Sequence, residues 1–214
     1  REFAVGLKGV QKQRTIADAF RQQQDDSLVQ MMNLDLIVGS GGVLPHAPRR
    51  AQSMRMMIDA YAPEGITDMA VDSIFMMPHL GVLSTVNEQA ATEVFEKDCI
   101  VALGACVAPA GSVVENKPAL SVSITLPDEN SVEFELQALE IKCIELPADQ
   151  TAEATIVPLQ SQLDLGEGPG KPWKGILKGG VVGVVFDTRG RPIQLPDTDA
   201  IRRKHLNEWV QAMN

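Results

Sequence analysis

One segment of this 214-residue chain constrains its fold more than any other, because a short apolar run there ends abruptly in glycines. Residues 34–38 carry the pattern of a short buried strand, and residues 39–42 (GSGG) follow at once. A helix is predicted from about Pro48, since proline suits the first turn of a helix. The order of strand, glycine turn and helix predicts an α/β unit at this point of the chain.

This unit also has a functional interpretation. A strand that ends in small residues lets the backbone approach a flat ligand closely. The helix that follows directs its free N–H groups and the positive end of its dipole toward the same crevice. Such geometry suits a nucleotide, and the candidate binding residues are Gly39, Ser40, Gly41, Gly42 and Val43. A tight turn that binds nothing has the same pattern, so both interpretations stay open here.

The character of the sequence changes twice along the chain. Residues 1–108 alternate between helical and short strand patterns, and they include an irregular helical spacing at 5–20. Residues 109–196 are rich in β-branched residues, glycine and proline, which predicts antiparallel strands in a barrel or sandwich. Residues 197–214 are helical again, and we expect this helix to pack back on the first unit. The predicted fold is therefore mixed α/β, with a β-rich domain and a C-terminal helix.

Two details of the C-terminal part are specific enough to test. Residues 179–187 form the most strand-like segment, and residues 188–191 predict a hairpin turn after it. Asp197 is a candidate cap for the last helix. The apolar stripe predicted for that helix consists of Ile201, Leu206, Trp209, Val210 and Met213.

Charge and cysteine content exclude several classes of function. Nineteen basic against 28 acidic residues give a net charge of −9, which argues against nucleic acid or an anionic membrane as a partner. No apolar run reaches the roughly 18–20 residues of a membrane span. Cys99, Cys106 and Cys143 form no Cys-x-x-Cys pair, so we predict buried thiols in a reducing cytoplasm rather than a zinc site or a disulfide framework.

Other charged and polar residues are weaker candidates for a site. Asp72, His46 and His79 contain metal-ligating groups, but their spacing fixes no coordination geometry, so no metal is predicted. Arg49 and Arg50, with Arg55, could attract a nucleotide phosphate or an acidic partner, or form a solvated helix face.

The glycine segment resembles known families. VGSGGVLP (38–45) resembles the adenosine motif of the actin, sugar kinase and DnaK-type ATPases. The longer strings GSGGVLPHAPRRA (39–51) and AVDSIFMMPHLG (70–81) resemble the glutamate mutase MutL (GlmL) family. So do LDLGEGPGKP (163–172) and GGVVGVVFDTRGRP (179–192). The similarity spans nearly the whole chain and fits the C-terminal half of a longer protein.

The resemblance implies a DnaK-like ATPase that accompanies adenosylcobalamin-dependent mutases and aminomutases as a reactivating or chaperone partner. This family is unrelated to the mismatch-repair protein of the same name. The implied fold is a lobe of the actin-like (ribonuclease H-like) type, and the complete protein would bind ATP with magnesium. Ser40 stands where many members of the superfamily have glycine, and Val43 stands where DnaK-type chaperones have an arginine against the adenine.

A phosphate loop of the actin type, Asp-x-Gly-Ser/Thr after apolar residues, is absent from residues 1–214. The segment 184–190 comes nearest, and its spacing is wrong by one residue. We therefore expect this chain alone to need no cofactor and to hydrolyse no ATP. Two functions remain open: the C-terminal part of an ATPase that reactivates glutamate mutase or a related aminomutase, or a non-catalytic module that docks onto a mutase subunit or forms a homodimer through its β-rich domain.

Overall fold

The computed structural model describes residues 29–128 and 130–213, which form a mixed α/β protein with two sheets. The helical spacing noted at residues 5–20 lies outside these residues. The helices are α1 (Arg50–Tyr61), α2 (Met77–Ser84), α3 (Glu88–Val94) and α4 (Asp199–Gln211). The strands are β1 (Leu36–Gly39), β2 (Gly65–Asp72), β3 (Ile100–Ala108), β4 (Pro118–Thr125), β5 (Ser131–Gln137), β6 (Ile141–Ile144), β7 (Thr151–Pro158), β8 (Trp173–Lys178) and β9 (Val184–Asp187).

The first sheet has five strands in the order β1-β2-β3-β9-β6. β1 and β2 are parallel and are joined by α1, whereas β3 runs antiparallel to β2. β9 is parallel to β3, and β6 closes the other side antiparallel to β9. The second sheet is antiparallel throughout, in the order β5-β4-β7-β8.

The molecule has three layers because the first sheet is buried on both faces. One face packs against α1 and α4 through residues such as Met54, Ile58 and Trp209. The opposite face contributes Val107 and Phe186 to a core shared with the second sheet. Burial on both faces fits the apolar composition of β3 and β9, two strands inside the first sheet.

The mixed α/β class predicted from the sequence is confirmed, and α4 packs against the first sheet through Trp209, with Met213 just after the helix in the same core. The sequence also predicts that residues 1–108 and the β-rich region 109–196 fold as separate units, and this stays a prediction. The sheet itself crosses that position, because β6 and β9 come from residues 109–196 and hydrogen-bond with β3 and with each other.

Several predictions for the C-terminal part are wrong in detail. Only Val184–Asp187 of the strand-like segment is a strand, and residues 188–191 lead through a turn toward α4 instead of closing a hairpin. Thr198, not Asp197, precedes the first helical residue of α4, and it makes no side-chain cap. Of the predicted stripe on α4, only two members are buried, Trp209 and Met213, and the remaining three are exposed: Ile201, Leu206 and Val210.

The three cysteines have the character predicted, with one difference in burial. Cys99 and Cys106 are buried, Cys143 is half-buried, and all three are free thiols. Burial raises the pKa of each thiol, to about 12 for Cys106. A thiol with a raised pKa is a poor nucleophile at neutral pH, so these cysteines serve packing. Among the described residues, no helix is long and apolar enough to cross a membrane.

Candidate functional site

The candidate site lies at the edge of the first sheet where β1 and β2 both end. The two strands are parallel, with Gly39 beside Val71, so their carboxyl ends meet there. Gly39 is buried, while Ser40 and Gly42 are exposed and Val43 is 72% exposed. The predicted order of strand, glycine turn and helix is confirmed by β1 and α1. In α/β sheets, ligands bind in crevices outside the carboxyl ends of strands.

Two glycines of the turn have different physical roles. A Cβ atom on Gly39 would lie 2.6 Å from Leu44 Cδ1 and 2.7 Å from Met57 Sδ, so a larger residue here would require these two side chains to shift. Gly41 has a φ of +112°, a backbone conformation that favours glycine. No heavy atom lies within 4 Å of a Cβ built on Gly41 or Gly42, so this part of the loop faces open space.

The loop between Gly39 and α1 is held by side chains of the helix. The Ser53 hydroxyl donates a hydrogen bond of 2.7 Å to the Leu44 carbonyl, and Arg50 Nη1 donates one of 3.1 Å to the Pro45 carbonyl. Arg50 thus also fixes the loop, and attraction of a phosphate or an acidic partner by these arginines stays a prediction. Arg49 next to it is exposed at the start of α1.

Asp72, the last residue of β2, connects this loop to the next element. Its carboxylate accepts hydrogen bonds from the Met76 and Met77 amides at 3.1 and 2.9 Å and from the Ser40 hydroxyl at 3.2 Å. Burial alone would raise the pKa of Asp72, but the hydrogen bonds from Met77, Met76 and Ser40 outweigh it and lower the pKa below 3.8. The side chain is therefore an ionised anchor between the glycine loop and α2.

Apolar side chains project into solvent from the turn that Asp72 anchors. Ile74 is 59% exposed and Phe75 is 49% exposed, and Phe75 has a φ of +58°, which is uncommon for a bulky residue. With Val43 on the neighbouring loop, these side chains give the open edge of the sheet an apolar character. Such a surface can contact the face of a flat ring.

The metal-ligating groups considered from the sequence are not brought together. Asp72 is occupied by its three donors, and His46 and His79 are exposed. In the part of the chain that the structure describes, no group of three His, Cys, Asp or Glu side chains is arranged to hold a metal ion.

Sequence reasoning missed a buried network around Asp187, which lies in a segment interpreted as a strand, a hairpin turn and a failed phosphate loop. Asp187 accepts 2.9 Å hydrogen bonds from both Arg189 and Arg191, and all three side chains are buried. Arg189 also pairs with Asp59 on α1 at 2.7 Å. An acidic residue at the end of a buried strand, followed by two arginines within four positions, is the signal that could have revealed it.

The geometry defines an α/β protein with an open, glycine-lined sheet edge, and the comparisons with known proteins add a family. Residues 4–99 match the model of the family described as MutL protein, a range that includes β1, the glycine loop, α1 and the turn at Asp72. This match confirms the MutL resemblance over residues 4–99. Neither the comparison with curated proteins nor that with solved structures finds a match.

Replacing Asp72 by asparagine is expected to lower the free energy of unfolding by about 1–3 kcal/mol, because a buried acceptor for two amides and a hydroxyl loses its charge. Urea denaturation measures this. Asp98→Asn, at an exposed position, is the matched control. Equal stability of the two variants would show that the carboxylate does not anchor the turn.

Proposed function

We propose that this chain forms the adenosine side of an ATP-binding, actin-like protein that reactivates or chaperones an adenosylcobalamin-dependent mutase, glutamate mutase or a related aminomutase. One observation carries the nucleotide part: the glycine loop leaves β1 at the carboxyl edge of two parallel strands, with open space above Gly41 and Gly42. The family match at residues 4–99 supports the mutase part.

The chemistry of the edge supports a nucleoside as the ligand. Gly41 and Gly42 present backbone without side chains, so a flat ring can approach closely. Val43, Ile74 and Phe75 offer exposed apolar surface for the base. Ser40, through its hydroxyl, is a polar group at the same edge, held in place by Asp72.

Hydrolysis requires groups that this chain does not supply. Catalysis of phosphoryl transfer is mostly the positioning and charge stabilisation of the γ-phosphate. The sequence contains no actin-type phosphate loop, and Asp187, the nearest approach to one, is buried between two arginines. We expect magnesium and phosphate ligands to come from outside residues 1–214.

The nucleotide proposal predicts weak binding to which the phosphate groups contribute no affinity. Adenosine and ATP with magnesium should bind the purified chain with similar dissociation constants, no tighter than about 1 mM, or about −4 kcal/mol. The expected shifts of amide resonances in NMR titrations lie at residues 39–43. Steady phosphate release from the purified chain is not expected, because the γ-phosphate would have no partners.

A loop variant provides the control for this titration. Gly42→Trp places a large side chain in the open space and should abolish the shifts without changing the melting temperature. Gly81→Ala, also in open space but on α2, should leave them unchanged. Micromolar ATP binding, turnover, or shifts that persist in Gly42→Trp would show that the nucleotide site lies elsewhere.

The alternative function, an interaction module that docks onto a mutase subunit without binding nucleotide, is favoured by a different observation. α2 and the turn that follows it carry exposed apolar side chains that no described part of the chain covers, Val82 and Val86 foremost. The two functions are compatible, because they use different residues, with Asp72 connecting the glycine loop to the start of α2.

A further inference from the structure

Ser40 is the polar side chain of the glycine loop, and its hydroxyl has a single proton to donate. That proton is already engaged, because the hydroxyl donates to Asp72 Oδ2 at 3.2 Å. The opposite direction is excluded, since Asp72 is ionised, accepts from the Met76 and Met77 amides as well, and has no proton of its own. A hydroxyl oxygen keeps lone pairs after it has donated, so Ser40 Oγ meets a ligand as a hydrogen-bond acceptor.

This acceptor is accessible and unused. Ser40 is exposed, whereas Asp72 behind it is fully buried. Within residues 29–128 and 130–213, no group of the protein donates a hydrogen bond to Ser40 Oγ. At this edge of the first sheet it is therefore the Ser40 hydroxyl, rather than the carboxylate that orients it, that a ligand can contact.

The backbone next to Ser40 supplies hydrogen-bond donors. In the described part of the chain, the amides of Gly41 and Gly42 donate to no protein acceptor, and both positions face open space. An acceptor beside unused donors is the chemical complement of adenine, which carries an amine donor next to a ring-nitrogen acceptor. Guanine has an oxygen acceptor in place of that amine, so it would bring two acceptors together at Ser40.

We propose that Ser40 selects adenine at this site by accepting a hydrogen bond from the exocyclic amine of the base. The proposal rests on the nucleotide function proposed above and adds the residue that recognises the base. Val43, Ile74 and Phe75 favour the base over the ribose as the group beside Ser40, because their exposed apolar surface at the same edge suits the face of a ring.

The test compares nucleoside 5′-monophosphates in NMR titrations of the purified chain, with the amide resonances of residues 39–43 as the readout. IMP, which has an oxygen in place of the amine, should bind about 10-fold more weakly than AMP, because two acceptors then face each other. Purine riboside 5′-monophosphate, which lacks only the amine, should bind about 3-fold to 10-fold more weakly, because one hydrogen bond is lost. The 2′-deoxy and 3′-deoxy forms of AMP keep the amine and should bind within about 2-fold of AMP.

Substitutions of Ser40 distinguish base selection from a structural role. Ser40→Ala removes the acceptor and should bring the dissociation constants of AMP and IMP within about 2-fold of each other. A serine that only held Asp72 in place would, when removed, weaken both ligands together and leave their ratio unchanged. Ser40→Thr keeps the hydroxyl and should keep the ratio near about 10-fold. Ser84→Ala removes an exposed hydroxyl on α2 and is the matched control, which should change neither affinity.

The outcomes separate this proposal from the function beneath it. If AMP and IMP bind equally well at residues 39–43, or if their ratio persists in Ser40→Ala, Ser40 does not select the base, while the nucleotide role stands. If a deoxy form of AMP loses affinity and IMP does not, Ser40 accepts from a ribose hydroxyl and the proposal is overturned. If AMP causes no shifts at residues 39–43, base selection and the nucleotide role both fall, and the mutase role is unaffected.

Discussion

Replacing Asp187 by alanine is expected to lower the free energy of unfolding by about 3–5 kcal/mol, because it leaves the buried Arg191 without a carboxylate partner and the buried Arg189 with Asp59 alone. Asp187 is fully buried at the end of β9, and its carboxylate binds Arg189 and Arg191 at 2.9 Å. Urea denaturation at neutral pH measures the loss. We expect a shift of the midpoint with an unchanged slope, since the same core unfolds.

The effect is large because the network joins distant parts of the fold. Arg189 pairs with Asp59 on α1 and lies 5.0 Å from the ring centre of Trp209 on α4. Arg191 donates a hydrogen bond of 2.6 Å to the Pro63 carbonyl in the turn before β2. Removing the shared carboxylate therefore loosens both helices of the outer layer at once.

The pH dependence of stability tests the same carboxylate. Burial alone would raise the pKa of Asp187, but Arg191 and Arg189 outweigh burial and lower the pKa below 3.8. A depressed pKa in the folded state means that the stabilisation is present above the unfolded pKa and is lost as pH falls below it. Stability of the unaltered chain should thus fall below about pH 4, and Asp187→Asn should show a shallower fall.

Asp149→Ala provides the control for these measurements, because Asp149 is exposed in the loop before β7 and should change stability by less than about 0.5 kcal/mol. A loss of under about 1 kcal/mol for Asp187→Ala would mean that the arginines find water or other partners, and that the network does not hold the layers together.

Replacing Gly104 by alanine is expected to destabilise the protein by about 2–6 kcal/mol, from backbone strain of about 1–3 and overpacking of about 1–3 kcal/mol. Gly104 has a φ of +123° at an irregularity in the pairing of β3 with β2. A Cβ atom there would collide with the backbone carbonyl of Gly183. Backbone cannot move aside as a flexible side chain can.

The close approach at Gly104 brings the residues just before β9 against the bulge of β3. The amides of Val182 and Gly183 both donate to the Leu103 carbonyl, at 2.9 and 3.2 Å. Thermal and urea unfolding of Gly104→Ala measure the cost. The same substitution at Gly81 on α2, where no atom lies within 4 Å, should instead stabilise by about 0.5–1 kcal/mol. Equal effects at the two positions would refute the steric argument.

The sequence alone determined those parts of the protein whose signals are local. β1, the glycine turn and α1 follow from an apolar run, four small residues and a helical period, all within residues 34–61. The β4–β5 hairpin follows from two segments in which apolar and polar residues alternate, with a turn between them. The family was recognised for a similar reason, because its strings lie in continuous stretches such as residues 39–51 and 70–81.

Only the tertiary structure decided which elements meet. The apolar run 179–187 has the composition of a strand throughout, yet it is a strand only from Val184, because residues 181–183 turn to hydrogen-bond with the bulge of β3. The sequence gives no sign that β6 and β9 join the first sheet, since pairing depends on long-range geometry rather than on period. Asp72 and Asp187 became anchors for the same reason: their donors are brought to them by the fold, and a carboxylate's role is set by what surrounds it.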